Sequence, residues 1–420
     1  MLVLPLLAGG LPLETRAVRL SPPAVLRRTA LPSCSLAHSP PAHPSPSQDA
    51  PVVVLGASGY IGKAVVRELV SRGHNTVSFV RPGAIIGSEL DGSTVVEGDV
   101  EADEGGHLAR AITGARGVIS CISSRSGERD EVWRVDYGAS ERAMRLLQEH
   151  GTADAAYVLL SAICVKNPVL HLHRAKLAAE EALAQSGISY AIVRPSAYFK
   201  SISAQVPFVT TGRPYVLFGD GTHTKCNAIG ERDLASCLVD SLENADSLNG
   251  IIEIGGPGDP ISPRQQSQLI FERAGLEPKY VYVPLSVLET VVAFFEFAER
   301  VLPALASDAA ESARIAKFYA TEDMLGPSDP RYSEEKIEEF YASAVSRAQE
   351  SSDENLGLPA SSVLASSVLS FMPPALSVGV LAAILSSFDP LASSSSPQLI
   401  MTSLASMLQF ADPSQSSIGR

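Results

Sequence analysis

The chain has 420 residues, 45% of them hydrophobic and 19% charged, and its formal net charge is −13. These values are typical of a globular protein and argue against a nucleic-acid surface, which needs clustered Lys and Arg. The five cysteines include no C-x-x-C pair, so the sequence predicts neither a disulfide framework nor a metal or iron–sulfur site.

Residues 1–49 have the composition of a transit peptide. They contain four arginines and many Ser, Pro and Ala, and Glu14 is the only acid before Asp49. A secretory signal is the weaker alternative, because no basic residue precedes the apolar opening and Gly and Pro interrupt it. We therefore expect targeting to a chloroplast, in the plastid stroma, with a mitochondrion as the second choice.

A strand, a glycine turn and a helix follow directly. Residues 51–55 are predicted to form a buried strand and residues 60–72 a helix, and the turn between them has the pattern G-x-x-G-x-x-G. Free backbone amides and the helix dipole at such a turn attract a pyrophosphate. The residues expected to bind a dinucleotide here are Gly56, Ala57, Ser58, Gly59, Tyr60, Ile61 and Gly62.

Apolar strand-like runs then alternate with helical segments. Further strands are predicted at 75–81, 93–100, 115–124, 156–165 and 188–196, and helices at about 105–114, 130–150 and 171–187. This alternation predicts an α/β fold, a doubly wound parallel sheet (Rossmann fold) over residues 50–200. We expect residues 201–349 to complete the sheet and form a small substrate-capping region, and residues 350–420 to be a Ser-rich low-complexity tail.

Residues at strand ends complete the predicted coenzyme site. Arg81 ends the second strand, where an NAD site would offer an acid to the ribose, so its charge favours the 2′-phosphate of NADPH. The alternative for Arg81 is a solvated surface side chain. Asp99 is expected beside the adenine, and Val100 and Pro195 are assigned to the same coenzyme site.

The glycine pattern, together with the stretches at 135–147 (VDYGASERAMRLL) and 193–195 (VRP), resembles an extended or atypical short-chain dehydrogenase/reductase. Members of that superfamily usually carry Ser and then Tyr-x-x-x-Lys. Ser161 and Lys176 match this pattern, but Leu172 occupies the Tyr position. The resemblance implies that Lys176 binds the nicotinamide ribose and that Ser161 faces the coenzyme, while the usual proton donor for carbonyl reduction is missing.

Later stretches narrow the resemblance to the chloroplast NADPH-dependent divinyl chlorophyllide 8-vinyl-reductases, over about residues 51–345. These stretches are 159–168, 174–183, 190–201, 214–221, 254–258 and 316–325. That family also lacks the Tyr. The resemblance implies reduction of the 8-vinyl group of a divinyl chlorophyllide, or a related magnesium porphyrin, to ethyl in chlorophyll biosynthesis. Hydride would add at the outer vinyl carbon, because the negative charge can spread through the ring, and a proton at the inner carbon.

The proton donor stays open at this point. Tyr198 follows the sixth strand and is the assigned candidate, with Cys164, Tyr215 and bound water as rivals. His171 and His173 lie two residues apart on a predicted helix and so face different directions. We expect solvated or capping histidines there, not axial ligands for the magnesium of the substrate.

Two cationic side chains and one aromatic stripe, all after the sixth strand, have two interpretations each. Lys200 and Arg213 flank the expected substrate region, where they would receive a carboxylate or be exposed charges. Phe294, Phe295 and Phe297 form an aromatic stripe on a predicted helix. Such a stripe usually belongs to the core, and the alternative is an apolar wall for a flat macrocycle.

The sequence also allows two other functions and a contact with a membrane. The chain would otherwise be a reductase of another conjugated alkene, or a non-catalytic NADPH-binding subunit that stabilises a larger assembly. Iron–sulfur and flavin vinyl reductases need cysteine clusters that this sequence lacks. Two prolines interrupt the uncharged stretch 355–388, and the apolar part that follows them is shorter than the roughly 20 residues that a bilayer span requires. It suggests either peripheral contact with a thylakoid or envelope membrane or an extension without function.

Overall fold

The structure is a computed structural model that describes residues 49–103, 106–125 and 127–354. The predicted transit peptide and the Ser-rich tail lie outside these described residues, apart from a few residues at each boundary. No helix in the described ranges is both long enough and apolar enough to cross a membrane.

The central sheet has seven parallel strands in the order β3-β2-β1-β4-β5-β6-β8. Its strands are β1 (Val52–Leu55), β2 (Thr76–Val80), β3 (Thr94–Glu97), β4 (Gly117–Ser120), β5 (Ala156–Leu160), β6 (Ser189–Pro195) and β8 (Gly250–Ile254). β7 (Tyr215–Phe218) pairs in parallel with β9 (Tyr280–Val283) as a separate two-stranded sheet. The strand order reverses between β1 and β4, and ligands of such sheets bind outside the carboxyl ends of the strands at this point.

Helices cover both faces of the sheet. They are α1 (Tyr60–Ser71), α2 (His107–Ile112), α3 (Arg129–Val132), α4 (Ser140–His150), α5 (His171–Gln185), α6 (Val206–Thr210), α7 (Glu231–Glu243), α8 (Pro263–Ala274), α9 (Leu285–Val301), α10 (Pro303–Thr321) and α11 (Ile337–Glu354). The side chains of β1 alternate between two cores, as the pleat requires. Val52 and Val54 pack with α1 and α7, whereas Val53 and Leu55 pack with α2, α4 and α5. The predicted doubly wound fold is confirmed.

The second half of the chain has its own small core around β7 and β9, packed by α6, α8 and α11. Helix α8 begins with a capping box: the Ser262 hydroxyl accepts from the Gln265 amide, the Gln265 side chain accepts from the Ser262 amide, and Pro263 occupies the first turn. Helices α9 and α10 form a hairpin. The two helices contact each other more extensively than they contact the rest of the protein.

Two predictions need correction. The fourth and fifth strands end at Ser120 and Leu160, several residues earlier than predicted, because the chain leaves the sheet edge there to build the site. The core interpretation of the aromatic stripe is wrong for Phe294 and Phe297, which are 64% and 65% exposed. Helix α9 buries only Leu288 and Val292, so its apolar outer face is left open.

Candidate active site

The glycine turn after β1 is shaped by close backbone contacts. Gly56 has φ +74°, and an added Cβ would lie 2.9 Å from the carbonyl oxygen of Cys121, which directly follows the neighbouring strand β4. At Gly62 an added Cβ would overlap the carbonyl oxygen of Gly56 and lie 2.8 Å from its carbonyl carbon. Helix α1 can therefore begin directly against β1 only because these positions lack side chains.

The first turn of α1 is open to an anion. Its N-cap, Gly59, has no side chain to satisfy the free amides, and no acidic residue lies in the turn. The first amide with an acceptor inside the helix is that of Lys63, which donates to the Gly59 carbonyl at 3.0 Å. The amides of Tyr60, Ile61 and Gly62 precede it and so have no intrahelical acceptor. The glycine cradle and these amides together fit a pyrophosphate.

An open cleft of about 520 Å³ lies at the carboxyl ends of β2 and β3. Residues that line it are Pro82, Glu97, Gly98, Asp99, Ala102, Asp103 and His107. The Asp99 carboxylate accepts from the Glu101 amide at 2.7 Å, and Val100 is buried behind it. Arg81 precedes Pro82 and is exposed, and its guanidinium forms no ion pair with any residue that the structure describes. The cleft and this free cation lie where the adenosine end of a dinucleotide is expected.

Lys176 is held by a buried acid that the sequence analysis missed. Its Nζ lies 3.0 Å from Oδ1 of Asp136, and the two side chains are 12% and 0% exposed. The same carboxylate accepts from the Ser123 hydroxyl at 2.8 Å and from the Ser124 amide at 2.9 Å. Lys176 also lies 3.5 Å from the carbonyl oxygen of Leu160, which places the ion pair at the carboxyl ends of β4 and β5.

A π-helical turn over Trp133–Ala139, between α3 and α4, carries Asp136 into this position. Such turns occur often at functional sites. The sequence did contain a signal: Asp136 follows the buried Val132 at helical spacing, so a charged residue lies on the apolar face of a predicted helix. A buried acid in that place needs a cation or hydrogen-bond donors.

Ser161 is 1% exposed, and its hydroxyl donates to Oε1 of Glu180. Glu180 in turn accepts three hydrogen bonds from Arg194: two from Nε, at 3.0 and 3.2 Å, and one from Nη2. The hydroxyl proton of Ser161 is thus directed to a buried carboxylate on α5. A role for Ser161 toward the coenzyme stays a prediction.

Tyr198 interacts electrostatically with Asp136, the partner of Lys176. Burial raises the pKa of Tyr198, and the neighbouring Cys121, Cys164, Tyr319 and Asp136 raise it further. Its ring lies 6.4 Å from that of Tyr60, centroid to centroid, at the start of α1. A raised pKa keeps the phenol protonated at physiological pH but makes it a weaker acid, so Tyr198 can protonate only a strongly basic carbon.

Burial raises the pKa of both rival side chains as well, so position is what distinguishes them from Tyr198. Burial raises the pKa of Cys164 to about 11, and Tyr215 lies in the separate core around β7. Tyr319, on α10, exposes 48% of its surface, yet burial at the hydroxyl, beside Cys164 and Cys226, raises its pKa to about 12. Tyr319 is a further residue near the site that the sequence analysis did not single out. Pro195 is buried at the end of β6.

The two histidines differ in environment. Nδ1 of His171 accepts a hydrogen bond from Nε1 of Trp133 at 3.4 Å. His173 is 3% exposed, with its ring edge-on to Phe318 at 4.7 Å, and desolvation lowers its pKa to about 4. The expectation of solvated or capping histidines is therefore wrong for His173. No cluster of three or more metal-ligating side chains occurs in the described ranges.

Lys200 and Arg213, the two candidates for binding a substrate carboxylate, lie in different parts of the structure. Lys200 lies with its Nζ 5.1 Å from the centroid of the Tyr60 ring, next to the glycine turn. Arg213 lies just before β7, where its backbone amide donates to the Phe208 carbonyl. Their role toward a carboxylate stays a prediction.

Comparison with known proteins agrees with this fold. A family model described as NAD(P)H-binding matches residues 56–245. The fold resembles the crystal structures of a nucleoside-diphosphate-sugar epimerase from Staphylococcus aureus (TM-score 0.51) and an NADPH-dependent quinone oxidoreductase from Escherichia coli (TM-score 0.50), each 17% identical. These matches cover 69% and 70% of this chain and 99% of each structure. Fold and family model thus define a Rossmann-type NAD(P)H-binding protein.

Curated relatives identify the family of this chain more specifically than the fold does. The chloroplastic divinyl chlorophyllide a 8-vinyl-reductases of Zea mays and Cucumis sativus are 37% and 35% identical, and the matches cover 73% and 71% of this chain. They cover 82% and 77% of those proteins. The chain belongs to the divinyl chlorophyllide a 8-vinyl-reductase family. A photosystem II assembly factor of Synechocystis is 23% identical over 71% of this chain and 93% of its own length.

Proposed function

We propose that this protein uses NADPH to reduce the 8-vinyl group of divinyl chlorophyllide, or of a related magnesium porphyrin, to ethyl in chlorophyll biosynthesis in the chloroplast. The observation that carries the proposal is the match to the Zea mays reductase, 37% identical over 82% of that protein. The site supports it, because Lys176 is retained and oriented whereas Leu172 replaces the acid that carbonyl reduction would use.

The coenzyme would lie across the carboxyl edge of the sheet. Its pyrophosphate would rest on the turn from Gly56 to Gly62, with the adenosine in the cleft beside Asp99 and Val100. Arg81 would contact the 2′-phosphate, which supports NADPH over NADH. Lys176 would donate to the nicotinamide ribose, with Pro195 beside the ring.

The residues of this chain would have two tasks in the reaction: Tyr198 would supply a proton, and Lys176, paired with Asp136, would bind the coenzyme. When bound, NADPH would supply a hydride to the outer vinyl carbon, and the resulting negative charge would spread into the macrocycle. Because no single oxygen carries that charge, the site needs no oxyanion donor at position 172. Tyr198 would then give its proton to the inner carbon and recover one from water, so that vinyl, hydride and proton yield ethyl. The charge of Lys176 is balanced by Asp136 throughout.

The direct test is an assay of the purified chain with divinyl chlorophyllide and either NADPH or NADH, in which pigment absorbance and nicotinamide oxidation are followed together. We expect one nicotinamide to be oxidised for each vinyl group reduced, with NADPH preferred. Tyr198→Phe should lower the turnover rate without weakening coenzyme binding. Wild-type turnover in that variant would assign the proton to another group.

The coenzyme preference has its own matched test. Arg81→Gln should weaken NADPH binding about tenfold, by loss of one charge-assisted contact, and leave NADH binding nearly unchanged. Equal losses for the two coenzymes would contradict the role given to Arg81.

The assay also separates the alternatives. Coenzyme binding without turnover would favour the assembly role, for which the similarity to the Synechocystis assembly factor is the supporting observation. Turnover of a different conjugated alkene alone would favour another substrate. The proposal includes peripheral contact with a membrane. Sedimentation of the chain with thylakoid lipid vesicles would measure this contact.

A further inference from the structure

Helix α5, which carries Lys176, cannot cap its own amino terminus. Its N-cap is Leu170, which has no side-chain acceptor, and no acidic residue lies in its first turn. The first amides of a helix need acceptors from elsewhere. Because Lys176 lies in the second turn, the order of this helix end bears directly on where its ammonium group stands.

A carboxylate from the α9–α10 hairpin supplies the missing acceptor. Oε1 of Glu311, on α10, accepts from the backbone amide of His171 at 2.6 Å, across 140 residues of sequence. Glu311 is 2% exposed. A buried carboxylate at a helix amino terminus both satisfies an amide and interacts favourably with the helix dipole.

The hairpin itself holds this carboxylate in place. Nη1 of Arg314 lies 3.1 Å from the second oxygen of Glu311, and the same guanidinium pairs with Glu296 and Glu299 on α9. A second contact joins the two elements, where the ring of Phe318 meets the His173 ring of α5. The hairpin and the first turn of α5 therefore dock as one unit.

We propose that Glu311 is a positioning residue: the α9–α10 hairpin supplies the N-cap of α5 and thereby sets the position of Lys176 in the coenzyme site. Docking of the hairpin and coenzyme binding are then coupled, although Glu311 touches neither Lys176 nor the coenzyme pocket. This inference rests on the proposed contact between Lys176 and the nicotinamide ribose.

The test measures NADPH dissociation constants by fluorescence for the full chain and for Glu311→Ala, Glu311→Gln and Lys176→Ala. The matched control is Glu289→Ala, which removes an exposed acid from the same hairpin. Hydrogen exchange of the peptide that covers the start of α5, and thermal unfolding, are measured on the same samples. Glu311→Gln keeps an acceptor oxygen, so it remains informative if the alanine variant folds poorly.

We expect Glu311→Ala to raise the dissociation constant about fivefold, the equivalent of one lost helix cap, and to speed amide exchange at the start of α5. The dissociation constant of Glu311→Gln should lie much closer to that of the wild type, and the dissociation constant of Glu289→Ala should equal the wild-type value. Unchanged exchange in Glu311→Ala would overturn the cap. Faster exchange with unchanged affinity, while Lys176→Ala binds weakly, would overturn the coupling. Unchanged affinity in Lys176→Ala would instead refute the proposed role of that lysine.

Discussion

Replacement of Asp136 by Asn tests the ion pair at the centre of the site. At 3.0 Å and an effective dielectric constant of about 20, the attraction between Lys176 and Asp136 is roughly 5 kcal/mol before desolvation is subtracted. Asparagine keeps an acceptor for the Ser124 amide but leaves the lysine charge unpaired. Breaking a buried pair costs about 3–5 kcal/mol, and the 12% exposure of the lysine favours the lower end. We expect a loss of about 3 kcal/mol.

Urea unfolding of the wild type and of Asp136→Asn measures this loss, and fluorescence titration measures the accompanying change in NADPH affinity. The control is Asp220→Asn, whose side chain is 64% exposed and pairs only with neighbours in its own loop. That variant should stay within about 0.5 kcal/mol of wild type. If Asp136→Asn cost less than 1 kcal/mol and left the affinity unchanged, the pair would not be what holds Lys176.

Three further predictions concern the fold around the site. Gly62→Ala should abolish coenzyme binding and cost about 1–3 kcal/mol, since its methyl group would meet the Gly56 backbone; titration and urea unfolding measure both effects. The low pKa of His173 means that the unfolded chain takes up this proton first, so stability should fall by up to about 3 kcal/mol from pH 6.5 to pH 4, and His173→Leu should flatten that part of the profile. Phe294→Ser and Phe297→Ser should each change unfolding stability by less than about 0.5 kcal/mol, because both rings are largely exposed; a core-sized loss would contradict the open face of α9.

Local patterns predicted the elements that local forces determine. The strand, glycine turn and helix at residues 51–72 were predictable because an apolar run, a spacing of glycines and a helical period each act within a few residues. The capping box at Ser262 was predictable for the same reason. Arg81 could be placed at a strand end because parallel strands bring their carboxyl ends to one edge.

Pairings across long stretches of sequence were not predictable. The Glu311 cap joins residues 140 positions apart, and the bond from Ser161 to Glu180 depends on how α5 packs on the sheet. Phe294 and Phe297 show the converse limit. An apolar helical stripe has the same period whether another element covers it or not, so periodicity alone cannot distinguish core from open surface.

Leu172 and Asp136 can be explained together, and the explanation has a test. With leucine at position 172, the helix that carries Lys176 offers it no phenol, and among the described residues Asp136 is the acid that pairs with Lys176. If the reaction needs no acid at position 172, then Leu172→Tyr should not raise turnover of divinyl chlorophyllide. It should instead lower turnover, because a larger ring replaces a half-buried leucine side chain on the helix that carries Lys176. The measurement is the rate of vinyl reduction at saturating NADPH, with coenzyme affinity as the control for folding. A faster Leu172→Tyr variant would show that proton delivery from this position limits the reaction, and the assignment of the proton to Tyr198 would fail with it.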